Sequence, residues 1–186
     1  LTNSTIGFTL LLTLVYFSAF SMFIYAFQSA SVNIYHLKPT QISIIFTMFG
    51  AVGLICQLFG VTFATKKFGL KKTFFVSLIG VGIAFAALSY VNLAVFIAGN
   101  LLLSLSNSFF QPLSQTILSE EVDQHEQGEM QGLNASYMSI GQIVGPVIAG
   151  FAASYSATMP FLGAAISIAV CVYLSVQIFN HLGKKQ

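Results

Sequence analysis

Apolar stretches of about 20 residues, with charge confined to the gaps between them, set the tightest limit on how this chain folds. A membrane-spanning helix needs about 20 mainly apolar residues. Six such runs occur, at residues 6–31, 41–65, 73–90, 93–118, 130–154 and 160–180. Leu1 to Tyr35 carries no charge at all. Charged residues make up 6% of the chain and hydrophobic ones 56%, whereas a soluble domain carries roughly a quarter charged. A soluble surface cannot be built from so few charges. The expected architecture is an all-α integral membrane protein of six transmembrane helices, forming a single domain over residues 1–186.

The lysines orient it. Lys66, Lys67, Lys71 and Lys72 fall in the second connection, around Gly69, and Lys184 and Lys185 in the tail, whereas Lys38 falls on the other side. The positive-inside rule then places both termini and the second and fourth connections in the cytoplasm. There is no Arg, and a net charge of +2 gives no ground for nucleic-acid binding. Cys56 and Cys171 lie in apolar runs and read as packed thiols. The first run has no basic residue before it, so it does not read as a signal peptide. The sequence opens on Leu1, and the expectation is a piece of a longer polypeptide.

All five acidic residues, Glu120, Glu121, Asp123, Glu126 and Glu129, precede the fifth run. They lack the ligand spacing of a calcium loop. Glu126 and Glu129 suit the positive end of a helix dipole instead. The run itself is spaced by small residues, with Gly132, Gly141, Gly145-Pro146 and Gly150 in series. Gly141 and Gly145 form a G-x-x-x-G pair, which lets another helix approach closely in lipid. This series resembles the antiporter glycine-proline motif of the major facilitator superfamily, departing from it at Ala149. The preceding Glu126-Gln127-Gly128-Glu129-Met130-Gln131-Gly132-Leu133-Asn134 resembles the entry to the eleventh helix of its drug:proton antiporters, the bacterial tetracycline and multidrug exporters.

The lysine turn resembles the superfamily's cytoplasmic basic motif in degraded form, with Thr62 at its first glycine and Lys66 at its aspartate. In the fourth run Pro112 is present, but Asn100 stands where the first half of such a transporter carries Arg. The resemblance therefore implies the carboxyl-terminal six helices of a twelve-helix carrier, built as two inverted three-helix repeats, with the amino-terminal half absent from this sequence. In that fold the first and fourth helices of each half line the cavity. The second and fifth meet the other half, and the third and sixth lie outside.

Polarity along the runs offers its own candidates. Asn100, Ser104, Asn107, Gln111 and Ser114 recur at offsets of 4, 3, 4 and 3, one stripe on the fourth helix. Amides are expensive in lipid, so the stripe reads as a cavity lining, with interhelical hydrogen bonding as the alternative. Ser18, Ser21, Tyr25 and Gln28, beside Phe17, Phe20 and Phe27, form a weaker stripe on the first helix, suited either to a large apolar solute or to plain packing. Small or polar residues recurring at Thr47, Gly50, Gly53 or Leu54, Gln57 and Gly60 suit close contact of the second helix at a domain boundary.

The functional expectation is half of a secondary transporter that exports small hydrophobic solutes in exchange for protons across a bacterial cytoplasmic membrane. Its partners would be the lipid bilayer, the amino-terminal half, the solute and the proton, with no cofactor and no metal. A carrier for a sugar or other metabolite is the alternative within transport, and a stand-alone six-helix scaffold the alternative outside it. No HExxH, no GxSxG and no acid or histidine within a span supports an enzyme. With no carboxylate in a span, the coupling acid is expected in the other half.

Overall fold

The computed structural model describes residues 4–182 except positions 121 and 124; Glu121, Lys184 and Lys185 lie outside the described residues. Six long helices account for nearly all of it: α1 Ser4–Asn33, α2 Pro39–Phe68, α3 Leu70–Leu88, α4 Leu93–Glu120, α5 Gln127–Ala153 and α6 Met159–Leu182. All six are long and apolar enough to cross a membrane. Helices suit that environment because every backbone N–H and C=O must be satisfied within the protein. Hydroxyls in the spans follow the same rule. Thr9, Thr13, Thr47, Ser108 and Ser167 each donate to the carbonyl four residues earlier, so these five hydroxyls are satisfied within their own helices.

The ends are set by local chemistry. Pro39 opens α2 at a position where its missing N–H costs nothing, and the Gln41 side chain accepts the Lys38 N–H at 2.8 Å. Between α2 and α3 the chain turns on the single residue Gly69, whose φ of 81° and ψ of 158° is a conformation open essentially to glycine alone. Asn92 starts α4 by accepting the N–H groups of Ala94 and Val95 on its side-chain oxygen.

Helix contacts reveal the internal plan. α1 packs on α5 and α6; α4 packs on α2 and α3; α3 packs on α6; and α1 touches α4. Exchanging helices α1, α2, α3 for α4, α5, α6 maps this set of contacts onto itself, as two three-helix repeats require. The two helices with the least buried surface are α2 and α5, at 6% and 17% of their apolar stretches, against 61% for α1. α1 is thus the internal post of the bundle, and α2 and α5 flank it with broad open faces.

Packing substitutes here for a hydrophobic drive, because lipid tails are as apolar as the side chains. Much of it is aromatic. Phe27 stacks on Phe96 at 5.4 Å, and Tyr35 rests on Phe96 at 4.6 Å. Phe23 meets Phe85, near the end of α3, and Phe161, at the start of α6. Tyr16 stacks on Phe110, which in turn meets Phe74, and Phe74 meets Phe179. The rings run the length of the bundle along α1 and tie it to α3, α4 and α6. Each such pair contributes about 0.5–1.5 kcal/mol beyond its buried area.

Candidate functional site: a polar cavity between α2 and α4

Two helix crossings involve the small-residue stripes, and they differ in kind. At the first, Gly141 and Gly145 of α5 lie flat on α1. A side chain at Gly141 would overlap the Leu14 carbonyl oxygen, and one at Gly145 would overlap the Ser18 carbonyl oxygen and come within 2.7 Å of Ser21 Cβ. These helices touch backbone to backbone. At the second, Gly53 of α2 faces the side chains of Ser104 and Ser108 on α4, at 3.3 and 3.5 Å from a Cβ placed there. That looser crossing leaves a cavity of about 230 Å³.

The cavity is walled by Gly53 and Gln57 from α2, and by Ser104, Asn107, Ser108 and Gln111 from α4. Ser104 donates its hydroxyl to the Phe49 carbonyl of α2, which fixes the helices relative to each other. Ser108 Oγ donates to the Ser104 carbonyl at 2.6 Å. Behind the wall, the Tyr16 hydroxyl of α1 donates to Asn107 Oδ1 at 2.6 Å. That bond occupies the amide oxygen and leaves the Asn107 NH₂ group as a donor at the cavity. Gln57 and Gln111 are exposed at its mouth. No charged side chain lines it. The site can offer hydrogen-bond donors and acceptors to an uncharged or delocalised solute, flanked by the apolar Phe49 and Leu54.

Two irregularities shape the walls. Residues Cys56–Gly60 of α2 form one π-helical turn, with the Val61 N–H reaching back to the Cys56 carbonyl. Such turns recur at functional sites because they rotate the residues that follow. The turn contains Gln57, and its last residue, Gly60, abuts the Phe109 ring. Across the cavity, Pro112 interrupts the α4 hydrogen-bond ladder, and Thr116 Oγ1 takes up the Pro112 carbonyl at 2.9 Å.

The stripe residues separate accordingly. Ser104, Asn107 and Gln111 line the cavity. Asn100 is 2% exposed, with its amide donating to the Phe96 carbonyl at 2.8 Å, and Ser114 is buried; neither reaches the cavity. On α1, Ser18 and Ser21 are buried against the α5 glycines, while Tyr25 and Gln28, one and two turns further along the same stripe, are exposed. Phe27 is fully buried among rings of the core. Within the glycine series, Gly141 and Gly145 make the close approach, whereas Gly132 and Gly150 have open space where a side chain would go. Lys66, Lys67, Lys71 and Lys72 cluster about Gly69 at the α2–α3 turn. Sequence reasoning missed Tyr16 and the part played by α2. A tyrosine in mid-span was the available signal, since a buried phenol needs a partner.

A sequence model of the Major Facilitator Superfamily matches residues 9–182. The chain belongs to the Major Facilitator Superfamily. This is a family of membrane transporters and not of enzymes. Curated relatives include an MFS-type transporter of Bacillus subtilis, 30% identical over 133 residues, covering 70% of this chain and 32% of that protein. A class C tetracycline resistance protein of Escherichia coli is 32% identical over 145 residues, covering 73% of this chain and 35% of its own. Multidrug resistance protein 1 of Bacillus subtilis is 27% identical over 146 residues, covering 74% and 35%. The matched segments thus span about a third of the length of these superfamily members.

Proposed function

We propose that this chain is the carboxyl-terminal half of a proton-coupled exporter of small hydrophobic molecules, working by alternating access with an amino-terminal half. The observation that carries this reading is the α2/α4 cavity: amides and hydroxyls set among apolar residues, with no carboxylate or cation in its wall. Such a lining suits a greasy solute with a few polar groups better than an ionic one. The similarity to tetracycline and multidrug resistance proteins supports the same class of cargo. The broad open faces of α2 and α5 are the surfaces on which the other half would dock. The lysine turn and both termini then face the cytoplasm of a bacterial cell.

The proton-carrying group belongs to the other half in this reading. The described acids Glu120, Asp123, Glu126 and Glu129 lie at the α4–α5 connection, outside the cavity. The test is transport by the full polypeptide in proteoliposomes under an imposed pH gradient, with tetracycline and a hydrophobic dye as cargo. Gln111→Leu and Asn107→Leu should raise KM about tenfold or more while proton movement persists. Gradient-driven movement of a sugar but of neither drug would replace this reading with a metabolite carrier.

A further inference from the structure

A second cavity lies on the opposite side of α4, and its chemistry differs from the first. It is a groove of about 500 Å³ between the last turns of α2, the first half of α3, and α4. α2 and α3 each pack on α4, and they diverge from each other beyond the Gly69 turn, which opens a wedge floored by α4. Phe68, Lys72, Val76, Gly80, Leu105 and Phe109 define it. At its inner end Gly80 closes on Ser106, since a side chain at Gly80 would overlap the Ser106 hydroxyl. From Lys72 to Gly80 the groove runs about 12 Å at 1.5 Å per residue, most of one leaflet of a core about 30 Å thick.

The lining is almost wholly carbon. Two of its three hydroxyls are turned onto their own helices: Thr73 Oγ1 donates to the Gly69 carbonyl at 2.8 Å, and Ser77 Oγ to the Phe74 carbonyl at 2.7 Å; the third, that of Ser106, lies against Gly80 at the inner end. Along most of its length a solute with polar groups would find no partner, the Ser106 hydroxyl at the inner end being the exception. The mouth is the reverse. Lys72 lines it directly. Lys67 Nζ stands 5.4 Å from the centre of the Phe68 ring, itself a wall of the groove. Four lysines fall within residues 66–72 and no acid lies among them. The described acids of the α4–α5 connection, Glu120, Asp123, Glu126 and Glu129, do not line the groove.

We propose that this groove binds the acyl chain of an anionic phospholipid, with Lys72 and Lys67 holding the headgroup phosphate. Depth, dryness and a cationic rim at headgroup level together select a chain with a negative head. The proposal is independent of the transported solute. It rests on the lysine turn lying at the cytoplasmic leaflet, where anionic lipids supply such partners.

The test is native mass spectrometry of the full polypeptide in detergent, titrated with phosphatidylglycerol and, separately, phosphatidylcholine. Wild type should retain phosphatidylglycerol at least tenfold better. Lys72→Gln should weaken phosphatidylglycerol about fivefold, the worth of one lysine at an anionic membrane surface, and weaken phosphatidylcholine, whose own choline offsets its phosphate, by less. Val76→Phe, at a position 66% exposed and so compatible with folding, should weaken both lipids by filling the groove. Lys38→Gln, at the opposite membrane face, should change neither. Equal retention of the two lipids by wild type, or equal loss from Lys38→Gln and Lys72→Gln, overturns the proposal. So does displacement of phosphatidylglycerol by tetracycline at equal concentration, which would make the groove a solute path.

Discussion

Replacing Gly145 with alanine adds one methyl group where α5 lies directly on the backbone of α1. That methyl would overlap the Ser18 carbonyl oxygen, and would lie 2.7 Å from Ser21 Cβ and 3.2 Å from the Met22 nitrogen. Contacting carbons prefer about 3.5–4.0 Å, so α1 and α5 must part by about 1 Å. Two of the three obstructing atoms are backbone, so no rotamer change relieves the clash. Overpacking of this kind costs about 1–3 kcal/mol. Alanine recovers about 0.5–1 kcal/mol through better helix propensity. The net loss is centred on about 1 kcal/mol, or roughly 2–4 °C in Tm for a domain of this size. Gly150→Ala is the internal control, because nothing lies within 4 Å of its added methyl. It should melt at or above the wild-type temperature. Thermal scans of the purified proteins, followed by a fluorescent maleimide on Cys171, which is buried, would report both. Equal Tm values for Gly145→Ala and Gly150→Ala would refute the close-approach argument. Gly145→Leu, with three more carbons to place, should abolish assembly or transport.

Gly69→Ala meets no neighbour within 4 Å but forces a side chain onto a backbone conformation worth about 1–3 kcal/mol of strain; a lowered Tm with no loss of solute affinity checks it. Tyr16→Phe removes the donor to Asn107, costing about 0.5–1.5 kcal/mol, and should alter solute KM as well as Tm because the amide is freed to turn. A cysteine at Lys71 should resist membrane-impermeant labelling from outside intact cells, and efficient external labelling would invert the topology. Residues 1–186 reconstituted alone should show no gradient-driven dye transport; robust transport abolished by Asn107→Ala would place proton coupling in this half.

The six apolar helices and the family were legible because lipid imposes one rule on every span and the glycine series lies within one stretch. The site was legible only in part. Periodicity says which residues share a face, and Ser18, Ser21, Ser104 and Ser108 are alike in that respect. It does not say which helix meets that face. Ser18 and Ser21 lie under the α5 glycines, whereas Ser104 and Ser108 border open space. Asn100 belongs to the stripe by spacing, yet its amide is spent on the Phe96 carbonyl one turn back. The π turn in α2 left no periodic trace, because it adds one residue to a run that is apolar on nearly every side.

Comparison of the two glycine crossings explains why the polar cavity lies beside α2 and not beside α5. The exchange of repeats carries the α1/α5 contact onto α4/α2. On the α5 side two glycines one turn apart meet the backbone of residues 14 and 18, so the helices close along a full turn and exclude any solute. On the α2 side Gly53 and Gly60 meet α4 only through its side chains, the Ser104 and Ser108 hydroxyls and the Phe109 ring, and not through its backbone. A Cβ at Gly50 would meet nothing, and the atoms opposing Gly53 are serine hydroxyls. Hydroxyls hold the second pair apart by the length of a side chain and supply the hydrogen bond from Ser104 that keeps it from drifting further. Gln57, one turn beyond Gly53 on the same face of α2, stands at the cavity wall opposite Asn107 and Gln111. The same helix pairing thus serves as a closed seam in one repeat and as a lined cavity in the other, decided by whether glycine faces a carbonyl or a hydroxyl.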